Sequence, residues 1–250
     1  MRTGMGAALW AEALKLRRSR ARWVSVAAIL APTLMAASFV AGATPEGAVG
    51  AKLTAMGLTR DVAGYVRAVT EIDAIGGLVV FGFLITWAFG REFSDRTALD
   101  LLALPTSRTA VVTAKLIVMT AWMLLLGCLQ LAASAGLSAL LGLPGWSLDA
   151  LESPAIVLGF NAVLVGPIAL ATSVGRGYLA GIATTAFAVV LGVVLAGAGV
   201  GGMYPWSVPA IASGMLGPTS VGAGSFGLAA ATAAIGVLGT SAWWNRADHH

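Results

Sequence analysis

The chain has 250 residues, of which 58% are hydrophobic and only 10% charged, against roughly 45–50% apolar and about 25% charged in a soluble domain. Its 15 Lys+Arg and 11 Asp+Glu are too few to solvate a globule of this length, and no charge at all falls between Gly177 and Asn245. A soluble enzyme, a disordered chain and, despite a pI near 9.7, a nucleic-acid-binding domain are excluded; the composition is that of a polytopic, all-α membrane protein forming one transmembrane domain over residues 1–250.

Residues 1–22 come first. Leu9, Ala13 and Leu16, flanked by Trp10 and Leu14, mark an apolar side of a helix, while Glu12, Lys15, Arg18 and Arg22 recur on the other. That pattern predicts an amphipathic elbow helix on the inner membrane surface, where basic side chains gain from anionic headgroups. The same cluster also reads as a plain topogenic signal that only sets orientation. It is not a cleavable leader, because the apolar segment after it is a full span.

That first span covers 23–42 and contains Pro32. The connection from Ala43 to Asp73 follows. Within it Val62, Tyr65, Val69 and Ile72 form a stripe opposite Arg60, Gly64, Arg67 and Glu71, which predicts a helix running on into the second span, 74–90, with Arg67 and Glu71 paired at i, i+4. This connection reads as a solvated cap without a ligand role.

The stretch from Arg91 to Arg108 reads R-E-F-S-D-R-T-A-L-D-L-L-A-L-P-T-S-R. Phe93, Thr97, Leu101 and Leu104 share one helical face and Arg96 and Asp100 another, with Ser94 as the expected N-cap and Pro105 as the stop. A short amphipathic helix here suits a groove on a partner, or rests on the membrane surface. The third span, 110–143, would be about 50 Å long as a helix, so it tilts or protrudes. Its Lys115 lies close enough to the inner end to snorkel there. Cys128 lies in the same span and has no second cysteine to pair with.

The fourth span covers 154–175. Asn161 and, in the third span, Gln130 are uncharged polar groups that line a pathway or bond between helices, and Pro167 predicts a kink. Two more spans, 178–200 and 226–244, flank an uncharged loop from Gly201 to Ser225 holding Pro205, Pro209 and Pro218. Pro209 to Leu216 is expected to form a short helix ended by Gly217. A neutral loop of this size is better dipped into the outer leaflet as a re-entrant element than held in water, although an external flexible loop is the other reading.

Six spans put both termini on one side. Twelve Lys+Arg then fall inside and three (Lys52, Arg60, Arg67) outside, which makes the inner side cytoplasmic. The net charge of +4 therefore reports orientation. His249 and His250 are the only histidines and end the chain, as native residues or as a tag remnant.

Catalytic chemistry is missing from the pattern. No Gly-Lys pair and no phosphate-binding loop occurs, and one cysteine with two terminal histidines offers no metal cluster. Lys115 is the sole ionisable residue read as lying within a span, which disfavours an ion-coupled carrier.

Two motifs resemble those of ABC-2 type transporter permeases: A-E-A-L-K-L-R-R-S-R (Ala11–Arg20) before the first span, and R-E-F-x-x-x-T-x-x-x-L-L-x-x-P-x-S-R after the second, followed by Lys115. The six-span layout is similar too. The resemblance implies that Glu12, Lys15, Arg17 and Arg18 belong to a connecting elbow helix. It implies that Glu92, Phe93, Thr97, Leu101, Leu102, Pro105 and Arg108 form the coupling region that contacts an ATPase. The chain itself would bind no cofactor. ATP and Mg would act through two copies of a separate ATPase subunit, with a second copy of this permease or a related one completing the assembly. The expected role is ATP-driven export of an amphiphilic or hydrophobic substrate such as a lipid, natural product or peptide. A non-transporting immunity or sensor subunit is the alternative, and an ion-coupled carrier a weaker one.

Overall fold

The structure is a computed structural model that describes residues 3–42, 47–55, 58–97, 106–215 and 221–246. Among these, ten α-helices follow in chain order: α1 (Thr3–Arg18), α2 (Ala21–Gly42), α3 (Ala48–Ala55), α4 (Val62–Ser94), α5 (Arg108–Leu140), α6 (Glu152–Val163), α7 (Gly166–Val174), α8 (Tyr178–Gly197), α9 (Val208–Ala212) and α10 (Ala223–Arg246). Six helical stretches are long and apolar enough to cross a membrane: α2, α4, α5, the broken pair α6–α7 with its preceding turn, α8 and α10. The protein is a multi-pass membrane protein.

Helix α4 is the axis of the bundle. Of its most apolar stretch 67% is buried, against 39% or less for α2, α5, α8 and α10, because it packs on α2, α5, α6, α7 and α8 together. Its start is fixed by Asp61, whose carboxylate accepts from the Gly64 amide at 2.8 Å and from the Thr59 hydroxyl at 2.7 Å. The Gly64 bond first, then the Thr59 bond, holds the Asp61 carboxyl below its ordinary value. The stripe Val62, Tyr65 and Val69 is buried as its spacing predicted, and Arg67 and Glu71 pair at 2.8 Å. Gly64 departs from its expected place. It turns inward, where a β-carbon would meet the Thr59 backbone.

The other end of α4 differs from expectation. Ser94 does not cap a new helix; α4 runs through Arg91–Ser94 and stops at Asp95, followed by Arg96 in the left-handed region (φ 58°). An uninterrupted apolar helix needs no fresh nucleus, and its last turn is held by Phe93 packing on Trp243 and Trp244. Leu101, Leu102 and Pro105 lie outside the described residues. Helix α5 restarts on Ser107, whose hydroxyl accepts from the Ala110 amide at 3.2 Å.

The fourth span is broken where Pro167 predicted it. Pro167 has no amide hydrogen, and Ile168 bonds to Val165 rather than to Leu164. The Leu164 carbonyl is thereby released. The indole N–H of Trp206 takes it up at 3.1 Å, so the neutral connection after α8 supplies what the proline removed. Ser207 adds a bond to the Gly192 carbonyl at 3.0 Å. In that connection α9 is five residues long, shorter than the expected helix from Pro209, and Leu216 lies outside the described residues. Just beyond the break, α7 crosses α10 at Gly166 and Gly236, where a β-carbon on either would meet the other backbone.

Trp206→Phe leaves a buried carbonyl without a donor and is expected to destabilise the protein by about 1–3 kcal/mol. The thermal unfolding temperature in detergent measures it; an unchanged temperature would show that the Leu164 carbonyl finds another partner.

Candidate functional site: a buried ion-pair cluster

Helix α1, the C-terminal turn of α4 and the start of α5 meet at one end of the bundle, where the last turn of α10 also lies. Four charges converge there. The Lys115 ammonium donates to Glu92 Oε1 at 2.6 Å, to the Ala88 carbonyl at 3.0 Å and to Glu12 Oε2 at 3.1 Å. An ammonium has three N–H donors, so each has its partner. Lys15 Nζ donates to Glu12 Oε1 at 2.7 Å and to Glu92 Oε1 at 2.8 Å. The Thr97 hydroxyl closes the second Glu92 oxygen at 2.7 Å. Two carboxylates and two ammonium groups sum to zero charge.

Burial decides how these groups behave. Lys115 is 0% exposed, Glu92 1% and Glu12 5%. Lys115 therefore does not snorkel: the carboxylates of α1 and α4 reach it inside the bundle. Burial by itself lowers the pKa of Lys15, but the Glu12 and Glu92 carboxylates outweigh it and hold the ammonium above its ordinary value.

The cluster also sets the roll of α1. Its inward face is Ala8, Glu12 and Leu16, not the expected Leu9, Ala13 and Leu16, and Ala13 is exposed. The pull of a buried lysine outweighs the modest apolar contrast between the two sides. Trp10 stands 68% exposed, and Arg17 and Arg18 also face outward. The Glu92 carboxylate is buried and faces Lys115, Lys15 and Thr97. Phe93 is half-buried, packed against Trp243 at 6.0 Å and Trp244 at 5.7 Å between ring centroids. Arg108 donates to the Trp244 carbonyl at 3.3 Å, where the exposed carbonyls ending α10 favour a cation.

A second polar group lies farther along α4. Asp73 is fully buried; Gln130 Nε2 of α5 donates to its Oδ2 at 2.6 Å and Asn161 Nδ2 of α6 to its backbone carbonyl at 2.8 Å. This corrects the view of Lys115 as the sole in-span ionisable group. A span drawn from charge-free residues alone leaves Asp73 in the connection. The i, i+4, i+7 stripe through Tyr65, Val69 and Ile72 is the signal that the helix already includes it. Gln130 and Asn161 serve here as interhelical hydrogen-bond donors, and Pro167 marks the break in the fourth span.

Residues 8–193 match the sequence profile of the ABC-2 family transporter proteins. The chain belongs to the ABC-2 transporter family. It is also 27% identical over 184 residues to a bacitracin transport permease protein of Bacillus licheniformis, an alignment covering 70% of this chain and 86% of that relative. No solved structure matches it. As an ABC-2 membrane permease subunit it is non-catalytic, and ATPase activity resides in a separate partner. The matched segment holds every member of the ion-pair cluster.

Lys115→Met in this ABC-2 permease leaves two buried carboxylates facing one another with only Lys15 between them, an expected loss of about 3–5 kcal/mol. Combining it with Glu92→Gln is expected to restore part of the loss, as a double-mutant cycle on unfolding would show. Lys15 has its own pH signature. Because its folded pKa lies above the ordinary 10.5, its contribution is complete below that value and is lost as pH rises through the folded pKa. A Lys15→Met variant should therefore converge on the parent's stability only in strong alkali, which thermal unfolding against pH measures.

Proposed function

We propose that this permease works in an ATP-driven exporter, in which two ATPase subunits serve a pair of permeases formed by two copies of this chain or by this chain and a related one. The observation that carries the reading is the neutral four-charge cluster. It locks α1, α4 and α5 together immediately beside residues 98–105, where the coupling motif continues. A push on that segment is felt by three helices at once. In this scheme Leu101, Leu102 and Pro105 make the contact, Thr97 and Glu92 tie that segment to the bundle, and Arg108 and Phe93 tie it to α10. Glu12 and Lys15 make the elbow helix part of the same joint, with Arg17 and Arg18 facing the anionic membrane surface. The cluster end, with both termini, is cytoplasmic by the basic-residue bias, and the neutral connection containing α9 dips into the opposite leaflet of the bacterial plasma membrane.

The cargo is amphiphilic or hydrophobic: a lipid, a natural product or a peptide. A cleft of about 870 Å³ between α2, α3 and α4 supports this, lined by Met35, Phe39, Val40, Ala68, Ile72 and Ile75, with Lys52 and Glu71 as its charged members. Such a lining receives an apolar chain at low desolvation cost. The name of the relative, a bacitracin transport permease, agrees with a cargo of this kind.

The test is co-purification with the cognate ATPase followed by transport in vesicles. Leu101→Asp is expected to abolish ATP-driven transport, and to weaken ATPase binding, while leaving the permease folded. Unchanged binding and transport would refute the coupling assignment. Amphiphiles screened by stimulation of the complex's ATPase activity would then identify the cargo class.

A further inference from the structure

The group formed by Asp73, Gln130 and Asn161 has no part in the scheme above. Its hydrogen-bond inventory is unbalanced. Gln130 and Asn161 both spend amide donors on Asp73, at 2.6 Å on its carboxylate and 2.8 Å on its backbone carbonyl. Asp73 Oδ1, Gln130 Oε1 and Asn161 Oδ1 are each left buried without a partner. All three residues are at least 99% buried. Three buried acceptors, one of them on a carboxylate, are thus reached by no donor.

Among the described residues, no side chain supplies one. On α4 the nearest charges, Arg67 and Glu71, pair with each other at 2.8 Å. Helix α2 carries only Arg22, at its far end, and α5 only Arg108 and Lys115, the latter some 22 Å from Gln130 by helix rise. Helix α6 carries Glu152 in its first turn, and α7, α8 and α9 carry no charged residue. An isolated carboxylate is costly in such surroundings, and a carboxyl there is normally neutralised by a proton or a bound ion. The packing favours the smaller ligand. Asn161 sits so close to α4 that a β-carbon at Gly77 would collide with its amide nitrogen, with Leu158 close behind.

We propose that Asp73, Gln130 and Asn161 form a proton-binding site within the membrane domain, with the proton held on the Asp73 carboxyl. The proton turns an acceptor into a donor, supplying the hydrogen bond that the neighbouring amide oxygens lack. The balance is simple: a proton from water adds to the carboxylate, no other bond changes, and the reverse step returns it. Release requires water to reach the group, so it accompanies a separation of α4 from α5 and α6. The site would thus take up or give off one proton as those helices part and close. This inference is independent of the ATPase-coupling scheme.

Infrared spectroscopy of the full chain in lipid tests it. At neutral pH the protein is expected to show the carbonyl stretch of a protonated carboxylic acid, shifting on exchange into deuterium oxide. Asp73→Asn should abolish that band, and Gln130→Leu should shift it by changing the hydrogen bonding of the acid. Because neither Gln130→Leu nor the parent spectrum depends on the Asp73 variant folding, the test survives its failure. A parent spectrum with no acid band overturns the proposal. So does thermal stabilisation by sodium over potassium that Asp73→Asn removes, which would make the group a metal-ion site.

Discussion

The end of the bundle where α1, α4 and α5 meet depends on one constraint: a lysine inside the bundle must be neutralised there. Lys115 sits on α5 at a depth where water does not reach it, so its three donors have to be met by protein. Glu92 comes from α4, Glu12 from α1 and the third acceptor from the backbone at Ala88. Breaking such a set costs far more than any surface ion pair, because each survivor becomes an uncompensated buried charge. The roll of α1 and the approach of Thr97 to Glu92 are consequences of satisfying it.

The same rule, that polar groups away from water must be paired, governs the fourth span. A proline in a helix would normally leave a free carbonyl. Here Trp206, from a connection with no charge of its own, supplies the donor. That bond fixes the neutral connection against α6 and explains how a segment rich in helix breakers lies against the middle of the bundle. Tight crossings at Gly166 and Gly236 then let α7 and α10 approach by backbone rather than by side chain.

Most of the architecture was legible in the sequence because composition and periodicity act locally. Charge-free stretches marked the spans, the 62–72 stripe extended the second helix, and Pro167 announced the break. Pairing across helices was not legible. Glu12 read as part of a solvated face because nothing local shows that Lys115, over a hundred residues later, will lie beside it. Asp73 falls in the connection for a related reason: a span drawn by the absence of charge must stop at the first carboxylate it meets. Residues that violate the apolar rule are the ones such a reading assigns to water, and Glu12 and Asp73 are two of them that the fold turns inward.

Both inward-turned groups lie on the same pair of helices. Glu92 and Asp73 are on α4, about 28 Å apart by helix rise, and Lys115 and Gln130 are on α5, about 22 Å apart. Neither helix contains a proline, and each is a single uninterrupted segment of 33 residues. Two stiff helices pinned to each other at two distant points by buried polar contacts cannot shift at one end alone. Sliding or separating them must strain both contacts, while the intervening apolar surface, including Leu78, Phe81, Met119 and Met123, offers non-directional packing that tolerates small displacements. The charged cluster and the Asp73 group are therefore the two places where a relative movement of α4 and α5 would be resisted, and a ligand at either changes the cost of moving both.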